Sequence, residues 1–470
     1  MMQPPAPPNL SDDTMETAMR TVVLIGASIR SAAQSAKRAG FHVIGIDHFG
    51  DIDTREACAE FWILREFLAD AHARQRFENL PIFMVGGLKH TKPLAEFLTH
   101  APPRRDLTSD WTGNVSTAAT DVFFAKRGLN ECWEDPRWLR ELSLECGLKF
   151  PTTLNAFEAA ASGVKPTEKG WLVKTRHSCG GLGVRWYQSE TILNAKSPEA
   201  VSVSTLTNEN SQNQGIEKIH GMTQAEPVIL QRWVPGRTYG ATLLSNGGDC
   251  RLLGLCRSLF TRMGNLPFVY RGSFGPVAIG ADLKHRLENL GHRLIQETSH
   301  RGLLNIDLVI NQQDEVHVLE VNPRWSGSSE LIDRWMRAKE TTCSLFSSMI
   351  QACQGLPLDR LPSCQESTGL TLQTTSPIYL KQILFARRDM RFTQDLLMSG
   401  EENSMNSCYR PALADIPAEG TTITRGNPIC TVLAELTSDV PDKSSRTNHE
   451  KSPMQQHRAF LNRLHARARN

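Results

Sequence analysis

The sequence predicts a multidomain protein, α/β in its first part and α+β in its middle, followed by a small β unit. Three observations carry this. Strand-like and helix-like segments alternate from Thr21 to Gly87, helical stretches followed by strands occupy Ala119 to Gly355, and short runs broken by turn residues fill Gly369 to Leu436. At 470 residues the chain is too long for one ordinary core, so two or three domains are expected.

The leader MMQPPAPPNLSDDTMET has prolines and acids where a signal peptide needs a basic start and an apolar run. Residues 1–20 therefore read as a disordered leader in a cytoplasmic protein. TVVLI, from Thr21 to Ile25, is a short apolar β-branched run that stops at Gly26 and reads as a strand. Ser31 to Ala39 reads as a small-residue helix closed by Gly40. FHVIGID gives a second strand ending at Asp47, and PIFMVGG another ending at Gly87. This alternation predicts a parallel, Rossmann-like domain over 21–118. The Gly26-Ala27-Ser28 turn lacks the rest of a G-x-G-x-x-G pattern, so a structural turn is preferred to a dinucleotide site. Such a turn lies at the carboxyl ends of parallel strands, where ligand clefts form, which keeps Ser28 and Arg30 as candidate substrate contacts.

From 119 to 355 the expectation is α+β. Helices are read near Asp121–Asn130 and Trp138–Cys146, and strands near Trp171–Lys174 and Val228–Trp233. Ser197 to Thr223 is polar without periodicity and reads as a long solvated loop. Residues 369–436 contain LTLQT, IYLKQILFA and a run with Pro-Ala-Glu-Gly and Gly-Asn-Pro turns, the pattern of a small antiparallel β domain. Residues 437–470 read as a polar and basic tail. Its end, RAFLNRLHARARN, has the pattern of a basic amphipathic helix, with a solvated tail as the default and a docking helix as the alternative.

Composition excludes several classes. Hydrophobic residues at 40% and charged residues at 22% match a soluble globular protein. A net charge of +2 gives no argument for nucleic acid or an anionic membrane. No apolar run approaches the roughly 20 residues that span a bilayer. The 11 cysteines contain no C-x-x-C pair, so reduced thiols are expected rather than a zinc site or a disulfide framework.

Three segments carry chemistry. In WLVKTRHSCGGLGVR a strand delivers Lys174 to a loop with Gly180, Gly181 and Gly183. Glycines let backbone N–H groups approach phosphate oxygens, and a nearby lysine neutralises the same phosphates. A flexible surface hairpin is the open alternative. In GLLNIDLVINQQDEVHVLEVNPR, Asp307 lies on one strand and Glu320 on the next, with Asn322 two residues further on the same face. That all-oxygen set suits Mg²⁺ rather than zinc. Solvent-facing acids on a sheet are the open alternative. In VILQRWVPGRTYGAT an apolar strand ends in a Pro-Gly turn, where backbone groups can meet an adenine edge beside Trp233 and Val234.

Taken in order, these segments resemble the ATP-grasp superfamily. The match includes Lys126, Lys174 with the glycine loop, QRWVPG, and Asp307, Glu320 and Asn322. The nearest likeness is to predicted ATP-dependent carboligases related to biotin carboxylase and to tyramine–glutamate ligase-like enzymes. Those groups also carry a Gly-Ala-Ser-x-Arg-like turn and a segment like Asp415 to Cys430. The resemblance implies a Rossmann-like pre-ATP-grasp domain, an ATP-grasp domain over 119–355 and a cytoplasmic ligase. This would activate a small-molecule carboxylate as an acyl phosphate and join it to an amine, releasing ADP and phosphate. It implies that Lys126 and Lys174 hold the α- and β-phosphates and that Gly180, Gly181 and Gly183 close over the γ-phosphate. Gln231, Arg232, Trp233 and Val234 would meet adenine. Asp307, Glu320 and Asn322 would ligate one or two Mg²⁺, or Mn²⁺. Arg324 would stabilise the transferring phosphoryl group, with Lys174 as its catalytic companion. The partners implied are small molecules, with neither nucleic acid nor membrane, and a homodimer is left open. Thr238 stands where the family usually has a ribose-binding acid, and Asn305 where some ligases have a base. Two other readings are kept: a non-catalytic ATP-binding regulatory protein, and a biotin-carboxylase-like enzyme that activates bicarbonate.

Overall fold

The computed structural model describes residues 20–77, 80–88, 94, 132–155, 158–159, 170–175, 178–187, 228–340, 344–359, 361–362, 366–367, 377–396, 409–436 and 453–468. Lys126, the helix expected near 121–130, the polar segment 197–223, LTLQT and most of the leader lie outside the described residues.

The first layer is a four-stranded parallel sheet of β1 (Thr21–Gly26), β2 (His42–Asp47), β3 (Glu60–Ile63) and β4 (Ile82–Met84). Its order is β3-β2-β1-β4. The apolar run of β1 is fully buried because both faces are covered. Val22 and Leu24 enter one core, Val23 and Ile25 the other, as a period of two requires. Helix α1 (Arg30–Arg38) follows β1 and seats Ala32, Ala33 and Ala36 against the sheet. It is followed by α2 (Ile52–Ala57), α3 (Leu64–Ala69) and α4 (Ala71–Phe77).

Helix α5 (Pro136–Glu145) opens the middle region, with Asp135 accepting from the Arg137 N–H as its cap. A small antiparallel sheet holds β5 (Thr153–Asn155), β6 (Trp171–Thr175), β7 (Val184–Trp186) and β8 (Val228–Arg232) in the order β5-β8-β6-β7. Against it stands the large sheet. Its strands are β9 (Arg237–Asn246), β10 (Cys250–Met263), β11 (Leu266–Val277), β13 (Arg301–Ile310) and β14 (Val316–Asn322), with β16 (Ile378–Phe385), β18 (Tyr409–Ala414) and β20 (Pro428–Leu436). The order is β14-β13-β9-β10-β11-β16-β20-β18. The C-terminal β unit is thus continuous with the central sheet. Two short pairs, β12 (Ile279–Gly280) with β15 (Glu366–Ser367) and β17 (Met390–Arg391) with β19 (Thr422–Ile423), form separate two-stranded sheets.

Helix α6 (Ala281–Thr298) covers one face of the large sheet through Leu283, Leu287, Leu290 and Leu294, a helical repeat. Helices α7 (Ser329–Lys339) and α8 (Leu345–Cys353) cover the other face, and their apolar residues share one core with β1 and α1. The parallel sheet is therefore packed onto the large sheet rather than merely tethered to it.

The solvated-tail default needs correction. Helix α9 (Pro453–Arg467) buries Phe460, Leu461 and Leu464 in the core of the C-terminal β unit. Its apolar stripe covers sheet surface that would otherwise face water. His457 is buried too and bonds the Gln382 side chain at 3.0 Å.

His300 supplies a stability test. It meets the Trp133 ring edge-on and its Nε2 bonds the Leu303 carbonyl at 3.1 Å, so Nε2 must carry the proton. Burial pushes its pKa down to about 4, only partly offset by that hydrogen bond. The unfolded imidazole protonates near its ordinary value while the folded one stays neutral. Its contribution is complete above about pH 6.5 and shrinks as pH falls toward about 4. Melting temperature should fall on acidification through that window, and His300→Gln should flatten the decline.

Candidate active site

The two antiparallel sheets meet at Lys174. Its direct partner on β8 is Ile229, while Gln231 pairs with Leu172 two residues back and so lies on the same face by the period of two. Gln231 is only 4% exposed, and its Nε2 donates to Thr153 Oγ1 at 3.0 Å. The oriented amide then presents Oε1 to Lys174 Nζ at 3.5 Å. From there Nζ reaches Glu320 of the large sheet, 3.3 Å from Oε2. One lysine thus spans the seam between the sheets.

After β6 the chain makes the glycine loop. The Thr175 N–H donates to the Gly183 carbonyl at 2.9 Å, closing the loop on itself. Gly180 and Gly181 take left-handed conformations, with φ of 61° and 77°. The Gly180 carbonyl accepts from the Tyr270 N–H of β11 at 2.9 Å, so the loop is seated on the large sheet. A Cβ at Gly181 would lie 1.7 Å from the Phe268 carbonyl oxygen, so only glycine fits this approach. Tyr270 was not legible beforehand, because it contributes a backbone group.

On the large sheet Asp307 and Glu320 face each other directly across β13 and β14. Asn305 pairs with Asn322 one step away. Asn322 Nδ2 donates to Asp307 Oδ2 and to Glu320 Oε1, each at 3.2 Å, while Arg324 donates to its Oδ1. Asn305 donates to Asp307 Oδ1 at 2.8 Å and accepts from Ser326 and Ser328, each at 3.1 Å. The residue that stands in place of a base therefore orients an acid. Burial, and then the Glu320 charge, push the Asp307 carboxyl well above the ordinary carboxylate value. Desolvation acts upward on Glu320 as well, but Lys174, Asn322 and Asp307 outweigh it and hold that carboxyl low, at about 2. Two acids in contact, one stabilised by a lysine and the other not, form an all-oxygen set short of positive charge. That fits a hard divalent cation.

The turn after β8 is arranged differently from the expectation. The N–H groups of Arg232 and Trp233 are already engaged by the Thr152 and Gly170 carbonyls, at 2.8 and 2.7 Å. The Arg232 guanidinium lies 5.5 Å over the Trp171 ring. Trp233 is 40% exposed and meets Trp186 edge-on at 5.4 Å, leaving an aromatic wall with Val234 beside it. Thr238 Oγ1 donates to the Ser258 carbonyl at 3.3 Å.

The parallel sheet closes the cleft. Its β4 end bonds the loop after Arg324, with the Gly86 N–H donating to the Trp325 carbonyl at 3.0 Å. Trp325 Nε1 donates to Ser31 Oγ at 3.0 Å. Arg30 is not a substrate contact. It is 1% exposed and fully committed, donating to both Glu330 oxygens at 2.7 and 2.9 Å and to Asp415 Oδ1 at 2.7 Å. Lys381 also holds Glu330, at 2.9 Å, and Ser28 Oγ donates to Asp415 at 3.2 Å. A guanidinium buried this deeply requires acids around it, and they come from distant parts of the chain.

Residues 136–328, within an α/β and α+β multidomain fold, match the family model described as ATP-grasp domain. The C-terminal section of the carbamoyl phosphate synthase large chain of Aquifex aeolicus is 26% identical over 204 residues, 43% of this chain and 34% of that protein. The chain therefore spans about a third of that curated relative. Among solved structures, N5-carboxyaminoimidazole synthetase of Staphylococcus aureus, complexed with ADP, is similar at a TM-score of 0.54 and 14% identity, over 95% of this chain and 97% of that one. The L-amino acid ligase of Bacillus licheniformis is similar at 0.51 and 13%, over 95% and 96%.

Proposed function

We propose that the protein is an ATP- and Mg²⁺-dependent ligase that activates a carboxylate as an acyl phosphate and couples it to an amine, releasing ADP and phosphate. The observation that carries this is the seam at which Lys174 meets Glu320, with Asp307 directly opposite and a closed glycine loop alongside. The ATP-grasp match over 136–328 supports it, as do the similar folds of a synthetase complexed with ADP and of an L-amino acid ligase.

In this reading Lys174 and the loop N–H groups neutralise the nucleotide phosphates. Asp307, Glu320 and Asn322 would hold Mg²⁺, which when bound would supply charge screening for the phosphates and polarise the transferring group. Arg324, fixed by Asn322, supplies positive charge for the phosphoryl group as it leaves ADP. Trp233 and Val234 form the adenine side of the cleft, and Gln231 acts by aiming Lys174. A carboxylate cannot expel oxide, so it takes the γ-phosphoryl group first; the amine then displaces phosphate. The partners are small molecules. A cytoplasmic location belongs to the same reading, supported by free thiols such as Cys146, Cys250 and Cys353, and by the absence among the described residues of any helix long and apolar enough to cross a membrane.

The test is ADP release from ATP, Mg²⁺ and a panel of carboxylates and amines. Glu320→Gln should lower it by about 100-fold or more while the melting temperature stays near that of the wild type. Unchanged ADP production in the folded variant would refute the proposal. ADP release that depends on bicarbonate would favour the carboxylase-like alternative, and tight ATP binding without turnover the regulatory one.

A further inference from the structure

In the run PIFMVGG, Gly86 reads as the end of a strand and nothing more. Its place in the fold is more pointed. β4 stands last in the order β3-β2-β1-β4, and its outer edge pairs with Trp325 through a single parallel bridge at Val85. The Val85 N–H turns inward, to the Ile25 carbonyl at 2.8 Å, and the Gly86 N–H turns outward, to the Trp325 carbonyl at 3.0 Å. The chain that leaves β14 with Arg324 is thus joined at the next residue to the parallel sheet.

Both sides of this joint are held from behind. The Gly86 carbonyl accepts from the Ala27 N–H at 3.3 Å. Trp325 is 3% exposed, shares a core with Val85, and its Nε1 donates to Ser31 Oγ of α1 at 3.0 Å. The φ of Gly86 lies outside the left-handed range, so its backbone conformation does not call for glycine. The space does. A Cβ there would stand 3.3 Å from the Trp325 carbonyl oxygen and 3.6 Å from Arg324 Nε. On its other side, Arg324 donates to Asn322 Oδ1, and its N–H donates to the Asn322 carbonyl at 2.9 Å. Its charge acts on both Asp307 and Glu320.

We infer that Gly86 is a positioning residue for Arg324: the end of β4 sets where the guanidinium stands when the phosphoryl group is transferred. This rests on the ligase reading and gives the N-terminal sheet a part in that transfer. Asn322 restrains one end of a long, flexible side chain, and a second surface is needed to hold it in one place. Bare backbone at Gly86 supplies that surface at close range. Because Gly86 and the Trp325 ring are both anchored, a methyl added at Gly86 displaces what can still swing, the Arg324 side chain. The core is spared, and the charge at the reacting centre is moved.

Two readouts test this. In ADP-forming turnover, Gly86→Ala should lower kcat by about fivefold, and Gly86→Val, whose branches reach further, by about 30-fold. The KM for ATP should stay within about twofold, and the melting temperature within a few degrees of the wild type. In an Arg324→Met background, Gly86→Ala should add less than about twofold, because no guanidinium remains to be misplaced. The second readout needs no turnover. The ratio of ATP to ADP affinity, measured by calorimetry with Mg²⁺, should fall severalfold in Arg324→Met and Gly86→Val alike. A full Gly86→Ala loss in the Arg324→Met background, or folded Gly86 variants with wild-type kcat and affinity ratio, would overturn the inference. If the affinity ratio falls in both variants but no pairing of carboxylate and amine supports ADP release, the ligase reading fails and the role of Gly86 stands. If turnover is found and needs Arg324, while folded Gly86→Val matches the wild type, the role fails and the ligase stands.

Discussion

Arg30→Met is expected to cost about 3–5 kcal/mol of stability at pH 7.5, the scale on which removing one partner of a buried ion pair destabilises a protein. The reason is what remains. Glu330 is buried and held well below the ordinary carboxylate value: desolvation pushes it up, but Arg30 and Lys381 prevail. Asp415 is lowered in the same way, with burial again opposed chiefly by Arg30. Without Arg30, Glu330 keeps Lys381 at 2.9 Å, and among the described residues Asp415 keeps Ser28 as its one side-chain hydrogen-bond donor. Lys381→Met should cost less, because the bidentate Arg30 contact to Glu330 survives.

The pH dependence checks the cause. In the wild type the carboxylates are lowered in the folded state, so their stabilisation is present above the unfolded carboxylate value, near 4, and is lost as pH falls below it. In Arg30→Met the uncompensated carboxyls rise instead and take up protons at higher pH, which relieves the variant as pH falls. The stability gap between the two proteins should therefore narrow from pH 8 to pH 5.5, read by urea unfolding. A gap that is constant over that range would point to lost packing rather than lost charge.

Arg30 also marks the limit of what the sequence discloses. The metal-ligand candidates were legible because they are local: the alternation in LEVNPR fixes a face, and a hairpin turn returns the chain to Asp307. The parallel sheet was legible because a strand buried on both faces reads as an unbroken apolar run. Arg30, by contrast, has partners 300 and 385 positions away, and no local period reports them. It was read as a substrate contact because its turn sits at strand ends, where both ligands and docking surfaces occur. Helix α9 illustrates a milder case: its apolar stripe was visible, but the surface it covers is assembled from β16 and β20, whose pairing is tertiary. Asn305 looked like a missing base and turned out to orient Asp307, a role set by the register of β13 against β14.

Gly181→Ala is expected to reduce ADP-forming turnover by about 100-fold, the penalty typical of a misplacement near 1 Å at a reacting centre. Two costs coincide at this residue. Its φ of 77° disfavours any side chain, and an added methyl would meet the Phe268 carbonyl oxygen at 1.7 Å, a backbone atom that cannot swing aside. The loop must lift from β11, and the bond from the Tyr270 N–H to the Gly180 carbonyl breaks with it. Gly180 provides the contrast: its φ of 61° is also left-handed, but nothing lies within 4 Å of a Cβ there. Gly180→Ala should therefore lose severalfold, not 100-fold, through backbone strain alone. Because the core is untouched, both variants should melt within a few degrees of the wild type, and hydrogen exchange at the Tyr270 amide should quicken in Gly181→Ala only. Equal losses in the two variants would mean that loop strain, and not the seat on β11, sets the rate.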